Sequence, residues 1–253
     1  MGYDEQSIRK PLSGIISNVN IFDRIDSTSS EARRYAVGGG SCPALFLADT
    51  QSGGRGRMGR SFFSPGGSGI YMSLLLPTAA ELSDTLLMTS AAAVAVRRAI
   101  LRVTSADTKI KWVNDLYLEG KKVCGILCEL LTEEKMMIVG VGINLYGSDF
   151  PEDISHIAGA IYHTEADDKI RCALVCAVAE ELISIHKELE NGAFMKEYRE
   201  SSAILGREIR YTENGVWMTG TAVDIDERGR LYVRDGQGQT RILSSGEISV
   251  RFE

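Results

Sequence analysis

The sequence predicts an α+β fold, a sheet with helices packed on it, followed by a small β-barrel. Three observations carry this reading. Apolar strand-like runs at ALFLA (44–48), GIYMSLLL (69–76) and KMMIVGVGINL (135–145) are interspersed with two long helical patterns. Beyond Gly206 the pattern changes to short alternating strands broken by glycine turns. The 253 residues, 44% hydrophobic and 25% charged, suffice for one large globular domain or a medium and a small one.

In chain order, residues 1–20 carry little signal and are too few for a further domain, which seldom falls below about 50 residues. NIFD (20–23) suits a short strand. Thr28, with Glu31 three residues later, fits a capping box, so a helix runs to about Val37 and stops at Gly38-Gly39-Gly40. ALFLA and GIYMSLLL are strands, the second ended by Pro77. Residues 82–101 set Leu82, Leu86, Leu87, Val94, Ile100 and Leu101 among alanines, an amphipathic helix. Segment 108–130 reads as strand, loop, strand, a turn at Glu119-Gly120, then strand, and 135–145 as another strand ending at Asn144. Ile170, Leu174, Val178, Leu182, Ile185 and Leu189 mark a long helix, and Phe194 with Tyr198 a short one. REIRYT, VWMTGTAVDID, RLYVRD, TRILS and EISVRF are the barrel strands, with turns at Asn214-Gly215, Arg228-Gly229 and 235–238.

The formal net charge is −6, against the basic excess of a general nucleic-acid binder. The odd set Cys42, Cys124, Cys128, Cys172 and Cys176 contains no C-x-x-C and no zinc spacing with the three histidines. These read as free thiols of a reducing cytoplasm. The charged start MGYDEQSIRK precedes no signal-peptide core, and no apolar run approaches the roughly 20 residues of a membrane span.

Positive charge is instead concentrated locally, in QSGGRGRMGRSFFS (51–64). Gly53, Gly54, Gly56 and Gly59 let backbone approach a ligand closely. Arg55, Arg57 and Arg60 repel one another unless an anion sits among them, and their planar forks suit carboxylate and phosphate oxygens. The stretch reads as a mobile loop that orders on an anion. A solvated basic loop, or one gripping nucleic acid, remains the alternative. It lacks the Gly-Lys-Ser/Thr ending of a Walker A loop.

Three segments in this order, GRGRMGR (54–60) followed by FFSP, KWVND (111–115) leading to KVCGILCE (122–129), and VGVGIN (139–144), resemble biotin protein ligase from about Ser27 to the C-terminus. The chain departs from the family pattern at Val113, usually proline, at Phe62, often Trp, and at Ser29, usually Asn. The resemblance implies a mixed, mainly antiparallel, class II synthetase-like catalytic domain over 1–204 and a small β-barrel over 205–253. With 26 residues before Ser27, the chain resembles the ligase-only type that lacks a DNA-binding domain. The implied partner is a biotin carboxyl carrier protein, with no DNA, no membrane and a possible homodimer.

The implied reaction joins the biotin carboxylate to the α-phosphate of ATP, giving biotinyl-5′-AMP, and then passes the biotinyl group to a carrier lysine. Two unit charges about 4 Å apart repel by roughly 4 kcal/mol at an effective dielectric of about 20, so positioned cations and Mg²⁺ must offset that cost. Arg55, Arg57 and Lys122 are the implied catalytic cations. Ser27, Thr28, Ser29, Gln51, Gly54, Arg55, Gly56, Arg57, Lys122, Gly125 and Leu127 are implied for biotin. Arg55, Arg57, Arg60, Lys111, Trp112, Asn114, Asp115 and Asn144 are implied for ATP, and Asp115 for the metal. Plain alternatives stand beside several: helix capping for Ser27 and Thr28, an exposed hairpin tip for Lys122, turn formation for Asn114 and Asp115, a strand cap for Asn144, and a core position for Trp112. The rival functions are a lipoate or octanoate ligase, whose members lack the GRGR-x-GR loop, and a non-catalytic anion- or nucleic-acid-binding module.

Overall fold

The computed structural model describes residues 3–78, 84–147, 149–164, 167–213, 215–244 and 248–249. Seven strands make one mixed sheet: β1 (Asn18–Ile25), β2 (Ala44–Gln51), β3 (Gly69–Pro77), β4 (Lys109–Lys111), β5 (Asp115–Leu118), β6 (Lys121–Leu131) and β7 (Met136–Asn144). Their order is β1-β2-β3-β7-β6-β5-β4. β1 and β2 run parallel because α2 (Thr28–Val37) carries the chain back across the sheet between them. The remaining neighbours are antiparallel. The mixed, mainly antiparallel sheet is therefore present.

Alternation along the strands divides the sheet into two faces. On one, Leu45, Leu47, Ile70, Leu74, Val139 and Ile143 meet α3 (Asp84–Thr104) and α5 (Asp168–Lys187) in the main core. Fully buried Ala91, Ala92, Ala95 and Ala99 let α3 lie close to its neighbours. On the other face, Phe46, Leu75 and Ile138 form a smaller cluster with Ala32 and Ala36 of α2. The part of this second face that α2 leaves uncovered is open for the site.

Three features differ from the sequence reading. α1 (Glu5–Leu12) forms in the segment that carried little signal, capped by Asp4, whose side chain accepts from the Gln6 amide at 3.1 Å. Its Ile8 and Leu12 are fully buried. The capping box at Thr28 does not form. Ser27 is the N-cap and makes no side-chain cap, while Thr28 turns its hydroxyl to Gln51 and Ser73 and Glu31 pairs with Arg34. The sheet beneath offers Thr28 stronger partners than its own helix does. A short α4 (Glu152–Ser155) was also unread, whereas α6 (Phe194–Glu200) falls where Phe194 and Tyr198 placed it.

The C-terminal unit is an antiparallel sheet of β8 (Glu208–Glu213), β9 (Val216–Ile225), β10 (Leu231–Asp235), β11 (Thr240–Leu243) and β12 (Ile248–Ser249), ordered β11-β10-β9-β8-β12. Asn214, Leu82 and residues 247 and 250–252 of the last strand reading lie outside the described residues. This sheet continues the main core through Ile209, Tyr211, Ile225, Leu231 and Val233. Trp112 Nε1 donates to the Gly229 carbonyl at 2.8 Å, and Arg199 donates to the Ile225 carbonyl at 3.0 Å, so the two sheets are tied by hydrogen bonds as well.

Candidate active site

The floor of the site follows from strand register. Ser73 lies opposite Gly140 and Tyr71 opposite Gly142, while Leu127 and Gly125 meet the same two glycines from β6. VGVGIN thus places both glycines on one face by simple alternation, and with Gly125 they open a trough. A Cβ on Gly142 would stand 2.5 Å from the Phe62 ring, and one on Gly140 2.7 Å from Ser29 Oγ. The trough belongs to a cavity of about 180 Å³.

One end is built from hydroxyls at the start of α2. Ser27, Thr28 and Ser29 line the cavity although they are buried. Thr28 Oγ1 is 2.8 Å and Ser29 Oγ 3.0 Å from Ser73 Oγ. Gln51 Oε1 accepts from the Thr28 amide at 2.8 Å, and Gln51 Nε2 donates to Ser64 Oγ at 3.0 Å, which donates to the Phe62 carbonyl at 2.9 Å. The chain of bonds links the helix start to the arginine loop and satisfies every buried hydroxyl in it.

The loop is a hairpin over the trough. The Phe62 amide donates to the Gly54 carbonyl at 2.9 Å and the Gly56 amide to the Arg60 carbonyl at 2.7 Å. A 3-10 turn, Arg57–Gly59, forms the tip, with Met58 at φ 56° and Gly59 at φ 74°. Arg55, Gly56, Arg57 and Arg60 line the cavity. Gly54 instead sits behind it, where a Cβ would be 2.5 Å from the Phe62 carbonyl oxygen.

The β4–β6 segment supplies the far wall through Lys111, Trp112, Asn114, Asp115 and Lys122. Lys122 Nζ pairs with Asp115 Oδ1 at 2.7 Å, Arg57 donates to Asn114 Oδ1 at 3.2 Å, and Asn114 Nδ2 donates to the Ile126 carbonyl at 2.8 Å. Lys111 stands 5.2 Å over the Tyr117 ring. The Trp112–Val113 peptide is cis. Trp112 is both core and wall: its indole is buried and its edge reaches the cavity. Asn144 is not brought to this cavity. It ends β7 and donates to the Gly159 carbonyl at 3.0 Å.

The buried thiols of β6 and the Tyr71 hydroxyl are not poised as nucleophiles. Burial pushes the Cys128 thiol up to about 12 and the Tyr71 hydroxyl up to about 12, and raises Cys124 as well. Among the described residues no group of three or more His, Cys, Asp or Glu could hold a metal ion. The cavity offers one lining carboxylate, Asp115, among cations. That donor set suits a hard cation arriving on phosphates better than a resident one.

Comparison with known proteins identifies the family. A family model described as the biotin/lipoate A/B protein ligase family matches residues 22–144. A second, the biotin protein ligase C terminal domain, matches residues 204–251. The bifunctional ligase/repressor BirA of Bacillus spizizenii is 34% identical over 232 residues, covering 88% of this chain and 71% of its own. This chain belongs to the biotin protein ligase family.

A biotin–[acetyl-CoA-carboxylase] ligase from Mycobacterium tuberculosis is 28% identical over 97% of this chain and 94% of its own length. The biotin protein ligase from Aquifex aeolicus, solved in complex with biotin and ATP, superposes with a TM-score of 0.78 at 29% identity, covering 94% of this chain and 100% of its own. For a biotin protein ligase, the parts that motif reading missed are Ser73, Gly140 and Gly142 of the floor and Glu129 beside the loop. The glycines carried a signal, since two glycines at period 2 inside a buried strand ask for close approach. Glu129 closes the KVCGILCE motif, but its pairing with Arg33 and Arg55 was not legible, and Ser73 carried no signal, because their partners are distant in sequence.

Proposed function

We propose that this chain activates biotin with Mg·ATP as biotinyl-5′-AMP and transfers the biotinyl group to a lysine of a biotin carboxyl carrier domain. The activity is that of a biotin–[acetyl-CoA-carboxylase] ligase. In the first step a biotin carboxylate oxygen bonds to the α-phosphorus and the bond to pyrophosphate breaks. In the second the lysine amine bonds to the acyl carbon, AMP leaves, and the amine gives up a proton. The observation that supports this best is the convergence of Arg55, Arg57 and Lys122 on a cavity whose other end is a buried hydroxyl cluster.

Residue roles follow from that arrangement. Ser27, Thr28, Ser29 and Gln51 hold the polar ureido ring, with Ser29 and Ser73 supplying hydroxyls where the family usually has an amide. The β6 backbone at Gly125 and Leu127 runs beside the ligand. Lys122, Arg55 and Arg57 gather the carboxylate and α-phosphate, offsetting their repulsion. Lys111, Trp112, Arg60 and Asn114 face the nucleotide. Asp115 is the lining carboxylate that would hold Mg²⁺, which would neutralise phosphate charge. Gly54 keeps the loop leg against Phe62 and Ser64 rather than touching ligand. The closed hairpin shields the adenylate from water until the carrier lysine arrives.

Incubation with biotin, Mg·ATP and a biotin carboxyl carrier domain tests the proposal by intact mass. The carrier should gain one biotinyl group, and AMP should accumulate in equal amount. A carrier of unchanged mass, with lipoate accepted in place of biotin, would instead favour the lipoate-ligase reading.

A further inference from the structure

Two arginines from different elements converge on one carboxylate just outside the cavity wall. Arg55, on the first leg of the loop, donates from Nη2 to Glu129 Oε1 at 2.9 Å and from Nη1 to Oε2 at 3.1 Å. Arg33, on α2, donates to the same Oε1 at 3.0 Å. Glu129 stands two residues beyond Leu127 on β6, and therefore on the cavity face of the sheet. Its side chain is 14% exposed, against 41% for Arg55 and 43% for Arg33.

We propose that Glu129 is a positioning residue, the catch that fastens the arginine loop to the floor strand. The bidentate fork fixes both the place and the plane of the Arg55 guanidinium at the cavity rim. Arg33 makes the arrangement conditional. Two guanidiniums share one carboxylate, so the cluster carries a net positive charge that only Glu129 makes tolerable. Without that carboxylate, Arg55 and Arg33 face each other as like charges and the loop leg is driven off the floor. Without Arg33, the carboxylate serves Arg55 alone and the catch tightens. What the loop does when fastened rests on the ligase reading above; the catch itself does not.

Trypsin cuts after arginine, so a loop holding Arg55, Arg57 and Arg60 reports its own release. With the full chain and no substrate, Glu129→Gln should speed cleavage within 55–60 about fivefold, the upper end for a part-exposed ion pair. Arg33→Gln should slow it, and the double variant should return toward the parent because the repulsion has gone. Circular dichroism and the melting midpoint confirm that each variant is folded. A second readout is escape of biotinyl-5′-AMP in the absence of carrier, which should be faster from Glu129→Gln. A parent that makes no adenylate would defeat the ligase reading while leaving the cleavage comparison intact. Folded variants that are cut at the parent's rate would overturn the proposal. So would an Arg33→Gln loop cut as fast as the parent or faster, and that arm decides the matter if Glu129→Gln does not fold.

Discussion

At the scale of the residue, Gly142 shows how little room the site leaves. A methyl group there would meet Phe62 ring atoms at 2.5 and 2.6 Å, and the ring is a movable end of a side chain rather than backbone. Gly142→Ala should therefore keep its melting point within a few degrees while Phe62 swings off the floor. Calorimetry should find biotin held about tenfold more weakly, equivalent to about 1.4 kcal/mol. Unchanged affinity would remove Phe62 from the pocket wall. Residues inside the arginine, KWVND and KVCGILCE motifs were legible in the sequence because chemistry and spacing coincide there. Arg171 was not. It is 1% exposed, stacks 4.3 Å from the Tyr3 ring centroid, and donates to Asp49 at 2.8 Å and to the Gly69 carbonyl at 3.1 Å. An arginine inside an amphipathic helix reads as surface until the fold supplies such partners.

At the scale of the element, apolar runs located the strands well, since a buried strand needs only four to eight such residues in a row. α1 escaped because eight residues with two buried positions make too short a periodic pattern to stand out. It is held by packing rather than propensity: Ile8 and Leu12 lie in the main core, and Cys176 Sγ is 3.6 Å from the Ser7 carbonyl oxygen. Leu12→Ala should cost about 2–5 kcal/mol in urea unfolding, as buried leucine truncations do. Biotin transfer per folded molecule should be unchanged, because α1 rests on α5, across the sheet from the loop. A cost below about 1 kcal/mol would mean that α1 is a loosely attached ornament. The arginine loop was read as ligand-binding from its composition, but its hairpin pairing was not legible, because the Gly54–Phe62 and Gly56–Arg60 bonds carry no sequence signature.

At the scale of the molecule, the change of pattern after Gly206 marked a second sheet, yet nothing in the sequence revealed that both sheets share one core. The seam runs through Gly229, at φ +77°, whose carbonyl takes the Trp112 indole and where an added Cβ would lie 2.7 Å from Ser90 Oγ. Gly229→Ala combines a left-handed backbone with a clash and should lower stability by about 2–3 kcal/mol. The loss should also loosen the Trp112 side of the cavity, which the proposed function gives to the nucleotide, seen as a raised KM for ATP. Two separated melting transitions in the parent would contradict a shared core. The site also has a consequence for behaviour in a crowded, phosphate-rich solution. Arg55, Arg57 and Lys122 already hold protein partners in Glu129, Asn114 and Asp115. An incoming anion must therefore displace Asn114 from Arg57 and Asp115 from Lys122, with Arg55 still held by Glu129, rather than fall into a positive well. Stray orthophosphate offers too few contacts to win that exchange, so the resting protein keeps its machinery unfouled until a ligand long enough to engage several cations at once displaces them together.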